Sequence, residues 1–83
     1  MKAHVHVTLK STVLDPQGQA IHNALKKMQY AGIESVRQGK YFVLALDDSL
    51  DAEAARLEVE RIAREVLTNP VMEEFSFHLE DAQ

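Results

Sequence analysis

The side chains with the plainest chemical potential are three imidazoles. His4 and His6 lie two apart in an alternating segment, and His78 lies in a second one near the end of the chain. If the two segments pair antiparallel, His78 comes near the first two on one sheet face. Imidazole ligates zinc or nickel. However, the chain has no cysteine, and no carboxylate is evident on that face. The histidines are therefore read as solvent-facing or interfacial, and no metal site is assigned. Nucleophilic and phosphate chemistry find no footing either. There is no G-x-S-x-G elbow, no glycine-rich phosphate loop and no H-E-x-x-H. The glycines are Gly18, Gly32 and Gly39, and each suits a turn or a helix end. The carboxylates crowd a helix near the C-terminal third, at positions that read as solvated. No catalytic and no cofactor-binding residue is assigned.

The elements that carry these residues follow from periodicity. Residues 3–9 alternate, with Val5, Val7 and Leu9 on one face and His4, His6 and Thr8 on the other, a half-buried strand. Val13-Leu14-Asp15-Pro16-Gln17-Gly18 turns it into a helix. Asp15 can accept hydrogen bonds from first-turn amides, and Pro16 suits the first helical position. Asp15, Pro16 and Gly18 are thus read as structural. From Gln17 to Ala31, Ile21, Ala24, Leu25, Met28 and Ala31 fall on one helical face, with Gly32 expected as a left-handed C′ residue.

Ile33–Arg37 and Tyr41–Asp47 read as two strands joined in a hairpin at Gln38-Gly39-Lys40, with Gly39 expected at positive φ. A second helix is expected over 52–68, with Ala55, Val59, Ile62 and Val66 as its buried stripe and Ala63 and Leu67 beside it. Asn69-Pro70 stops it. Val71–Leu79 is the last strand, with Phe75, Phe77 and Leu79 inward, and 80–83 is expected to fray.

The order β-α-β-β-α-β predicts an α+β, ferredoxin-like two-layer sandwich within a single domain, 1–83. Its four-stranded antiparallel sheet would be ordered 4-1-3-2, with both helices on one face. The other face would carry His4, His6, Thr8, Arg37, Tyr41, Val43, Ala45, Ser76 and His78. That mixture suits a surface covered by another chain, and a homo-oligomer is expected. Eighty-three residues bury only about 60% of the unfolded chain's surface, which also favours association.

The formal charge of −4 argues against a nucleic-acid partner. An RNA-recognition domain would also need more aromatics on the bare face than Tyr41. An acylphosphatase would need an arginine between Lys10 and Gly18, and there is none. No signal peptide or membrane span is expected, and the absence of cysteine suits a reducing, cytoplasmic setting.

Several segments together resemble one family. Val13-Leu14-Asp15-Pro16-Gln17-Gly18, Ala24-Leu25, Val36-Arg37-Gln38-Gly39-Lys40-Tyr41 and Leu67-Thr68-Asn69-Pro70-Val71-Met72-Glu73-Glu74-Phe75 stand in the order and spacing of the PurS subunit of phosphoribosylformylglycinamidine synthase. Met72, Glu74 and Phe75 depart mildly from the pattern, and the His4, His6 pair is not part of it.

The resemblance implies a small subunit without an active site of its own, in a complex with a large ATP-using synthase subunit and a glutaminase subunit. That complex forms formylglycinamidine ribonucleotide in purine biosynthesis. ATP and magnesium would be used by the synthase subunit, none by this chain. The small subunit would bridge its partners, assist ammonia transfer and form a homodimer or homotetramer. Arg37, Gly39, Lys40 and Tyr41 would present the partner interface. An ACT-like regulatory domain binding amino acids, or an adaptor unrelated to purines, would suit the same element order.

Overall fold

The structure is a computed structural model and describes residues 1–81. Strand β1 (Lys2–Leu9) alternates as its sequence requires, with Ala3, Val5 and Val7 buried on one face. β1 is the middle strand. β2 (Gly39–Ala45) and β3 (Glu73–Glu80) flank it, both antiparallel, in the order β2-β1-β3. The register sets Val5 opposite Phe42 and Phe77, and Val7 opposite Phe75. The apolar positions of all three strands therefore share one face.

Helix α2 (Ala52–Ile62) covers that face. Asp51 caps it, its carboxylate accepting from the Ala54 amide at 2.8 Å. Val59 and Ala63 close the core against Ala3, Val5 and Val7, with Phe42, Leu44, Leu67, Phe75 and Phe77 half-buried around them. Beyond Ile62 the helix widens into one π-helical turn, Ala63–Leu67. The wide turn shifts the phase of the stripe. Ala63 and Leu67 stay on the core, whereas Val66, expected inside, is 73% exposed.

The expected four-stranded sheet is not formed: among the described residues the sheet has three strands. Residues 33–37 form no strand, and the run 33–45 has no hairpin at 38–40. Gly39 already lies in the β1–β2 ladder opposite Thr8. It is not at positive φ; a Cβ there would sit 2.5 Å from the Val7 carbonyl oxygen. Close backbone approach, rather than a turn, is what requires glycine.

Nor do two helices contribute to the core. Helix α1 (Pro16–Lys27) leaves the end of the sheet where β1 stops and β2 and β3 begin, and none of its residues belongs to the core that α2 closes. It ends earlier than expected. Gln29, at φ 75°, is the left-handed residue in place of Gly32. The Gln29 and Tyr30 amides donate to the Lys26 and Leu25 carbonyls, the paired bonds of a Schellman motif.

Residues 31–38 then run back beside α1. His22 Nε2 meets the Ile33 carbonyl at 2.9 Å, and Gly18 lies against the Val36 carbonyl one helical turn nearer the sheet. Residues 16–38 thus form an arm. It stretches the molecule to 51 × 32 × 14 Å, with a radius of gyration of 16.3 Å, against about 12 Å for a compact chain of this length. Glu80 closes β3 as its last residue; of the expected frayed end, Ala82 and Gln83 lie outside the described residues.

Candidate functional site

Three segments far apart in sequence meet where the arm joins the sheet: 9–18, 36–40 and 69–73. Asp15 is the hub. Its Oδ1 accepts from the Gly18 amide at 3.0 Å and its Oδ2 from the Gln38 amide at 2.8 Å. One carboxylate thus caps α1 and holds the entry to β2. The Gln38 and Gly18 amides, with Arg37 nearby, lower its pKa below the ordinary 3.8. Arg37 Nη2 donates to the carbonyls of Lys10 at 2.9 Å and Val13 at 3.0 Å, with Leu9 more distant at 3.4 Å. Gly18 permits the crossing, because a Cβ there would strike the Val36 carbonyl oxygen and lie 2.7 Å from Asp15 Oδ2.

The third segment closes the junction. Lys10 donates through its amide to Met72 O and through Nζ to Pro70 O, each at 2.9 Å. Glu73 Oε1 accepts from the Asn69 amide at 2.8 Å, while Oε2 lies 3.5 Å from Lys40 Nζ. A cleft of about 260 Å³ opens here, walled by Val7, Leu9, Gln17, Gln38, Lys40 and Glu73. Among the residues singled out in the sequence, the structure brings together Asp15, Gly18, Arg37, Gly39 and Lys40. Lys10 and Glu73 belong with them and were missed. The only signal for Glu73 was its place in the segment after Asn69-Pro70.

Tyr41 lies apart from this junction, on the opposite sheet face. Its ring stacks on His6 at 4.8 Å between centroids, and His4 stacks on His78 at 4.7 Å. With the hydrogen on Nε2, His4 accepts at Nδ1 from the Tyr41 hydroxyl at 2.5 Å and points Nε2 at Glu80 Oε1, 3.4 Å away. Near-parallel rings keep their lone pairs in separate planes. Among the described residues, no group of three or more His, Cys, Asp and Glu side chains is placed to hold a metal.

At the junction Asp15 and Arg37 are committed to backbone amides and carbonyls, while Lys40 and Glu73 pair with each other. Such an arrangement defines a small α+β module whose arm is fixed at its base by main-chain hydrogen bonds. Comparison with known proteins names the kind. The PurS family of phosphoribosylformylglycinamidine (FGAM) synthase matches residues 2–81. The PurS subunit of that synthase in Mycobacterium leprae is 45% identical over 75 residues, 90% of each chain. Among solved structures, Methanocaldococcus jannaschii PurS superposes with a TM-score of 0.86 at 28% identity, covering 99% of this chain and 98% of that one. A chain in the structure of PurLQS from Thermotoga maritima superposes with a TM-score of 0.79 at 28% identity, covering 93% of both chains. The chain belongs to the PurS family, the small subunit of FGAM synthase in purine biosynthesis.

Proposed function

We propose that this chain is the non-catalytic, bridging subunit of its complex. It links a glutaminase subunit to an ATP-dependent synthase subunit that converts formylglycinamide ribonucleotide to formylglycinamidine ribonucleotide. ATP and magnesium act on the synthase subunit, and this chain holds no cofactor. The supporting observation is the use of Asp15 and Arg37: both are committed to main-chain groups that lock the arm. A bridging part needs a fixed shape more than a reactive side chain. Ammonia released in water is protonated and lost, so its route between two active sites must be enclosed by docked surfaces.

The partner surface is the 37–41 segment. Arg37 and Gly39 shape it, and Lys40 and Tyr41, both exposed, present a cation and an aromatic ring to a partner. The subunit works as a homodimer or homotetramer in the cytoplasm. No helix among the described residues is long and apolar enough to cross a membrane. The test is reconstitution of amidine formation from the two partner subunits, with and without this chain. Glutamine-dependent turnover should require it, while turnover on added ammonia should not. Lys40→Ala combined with Tyr41→Ala should leave the unfolding transition in place and weaken assembly. Glutamine-dependent turnover that is equal without the chain would refute the reading.

A further inference from the structure

The cleft at the base of the arm takes its walls from both parts of the molecule. Val7, Leu9, Lys40 and Glu73 come from the sheet, and Gln17 and Gln38 from the arm. Asp15, in the turn between them, closes it. Its volume of about 260 Å³ falls below the roughly 300–1,000 Å³ of pockets that take drug-sized ligands. It suits a small metabolite and is too small for a nucleotide.

The walls also select the charge of an occupant. Asp15 is 4% exposed, and its two oxygens accept main-chain amides, which favours the ionised form. Glu73 is held by the Asn69 amide on Oε1, with its side chain 15% exposed. Against these two shielded carboxylates stands one cation, Lys40, 62% exposed and 3.5 Å from Glu73 Oε2. A phosphate or dicarboxylate would meet two anions and one cation, and would be repelled on balance. A simple amine would be drawn to the carboxylates and pushed off by Lys40.

A zwitterion answers both signs. In a free α-amino acid the ammonium nitrogen and the carboxylate oxygens lie roughly 3 Å apart, the scale of the Lys40–Glu73 separation. Laid antiparallel on that pair, it exchanges one ion pair for two charge-assisted contacts. Val7 and Leu9 offer its side chain an apolar wall, and the carboxamides of Gln17 and Gln38 offer donors and acceptors. We infer that the cleft binds a free α-amino acid with a neutral side chain, Glu73 taking the ammonium and Lys40 the carboxylate. An occupant touches arm and sheet at once and braces the arm at its hinge. The site belongs to this chain alone and does not depend on the bridging role.

The test is a titration of the full isotope-labelled chain with L-glutamine at about pH 7, followed through the amide signals. Those of Gly18, Gln38, Gly39 and Lys40 should shift and saturate, with half-saturation at about 1 mM. Glutarate lacks the ammonium and putrescine the carboxylate, so each should need roughly tenfold more or fail to saturate. Glu73→Gln keeps an oxygen for the Asn69 amide and should raise half-saturation roughly tenfold. Lys40→Met, at an exposed side chain, should do the same with the fold intact.

Cleft signals that do not saturate in the millimolar range overturn the site. So does glutarate or putrescine acting as L-glutamine does. Parent-like binding by Lys40→Met, or by a folded Glu73→Gln, overturns it too; should Glu73→Gln not fold, Lys40→Met decides. The bridging role is judged separately, by reconstituted turnover.

Discussion

The body and the arm of this molecule are held together by different physics. In the body, β1 is sandwiched between two strands and covered by α2, and Val5, Val7 and Val59 are shut off from water. Its stability comes from apolar area removed from solvent, at roughly 25 cal/mol per Å². The arm has comparable apolar residues, yet Ile21, Met28, Tyr30 and Ile33 remain exposed. It is positioned by polar contacts at its base: two amides on Asp15, carbonyls on Arg37, and one carbonyl contact from His22. A core of packed side chains stabilises wherever it forms. A polar junction sets direction but adds little net energy per bond, about 0.5–1.5 kcal/mol. The body is therefore held by its buried core, while the arm is posed by its base and leaves apolar surface exposed.

The largest effect that would test this contrast lies in the body. Val59→Ala removes two methyl groups from a fully buried site facing Val5 and Val7. It should cost about 2–3 kcal/mol in urea unfolding, and the loss should not depend on protein concentration. A loss that shrinks as the chain is concentrated would mean that the body depends on association.

A smaller effect separates two glycines within the arm. At Gly18 an added Cβ meets the Val36 carbonyl and Asp15 Oδ2, so Gly18→Ala must push α1 off its base. At Gly32 an added Cβ meets nothing within 4 Å, and the residue is not at positive φ. Gly18→Ala should cost on the order of 1–2 kcal/mol, whereas Gly32→Ala should stay within about 0.5 kcal/mol of the parent. Equal costs at the two sites would break the claim that the base alone sets the arm.

How far the sequence foretold these regions follows the same division. β1, β3 and the first turns of α2 were legible because burial on one face imposes a period on the residues themselves, as in Ala3, Val5 and Val7. The Asp15 cap was legible because capping is local. The second carboxylate oxygen was not: its partner Gln38 is 23 residues away, and no local pattern reports such a contact. Ile33–Arg37 has a strand-like composition, but composition does not say which edge a strand finds. In this chain the segment forms no strand, and its assignment as a fourth strand was overturned for that reason. The helix end was missed because Gln29 takes the left-handed position without being glycine, while Gly32, the residue type that invites the assignment, has no such role. The π-helical turn that rotates Val66 outward has no compositional mark at all.

The most delicate prediction concerns Asp15, where chemistry at one carboxylate reports on the arm alone. Its pKa is lowered first by the Gln38 amide, then by the Gly18 amide. A carboxyl with a lower pKa in the folded state than in the unfolded chain binds its proton more weakly when folded. Its contribution is fully present above the ordinary value of 3.8 and fades as pH falls below that toward the lowered folded value. Asn at position 15 keeps an oxygen that can cap α1 nearly as well but removes the titration. At about pH 7 the Asp15→Asn chain, whose amide nitrogen cannot accept from the Gln38 amide, should unfold at a lower urea midpoint than the parent, and on acidification to about pH 3 the parent should lose more stability than the variant, so that the gap between them narrows. Asp47, lowered by the Ser49 amide, titrates in both chains and cancels in the difference. If the two chains lose stability in parallel, the carboxylate is not what ties the arm to the body.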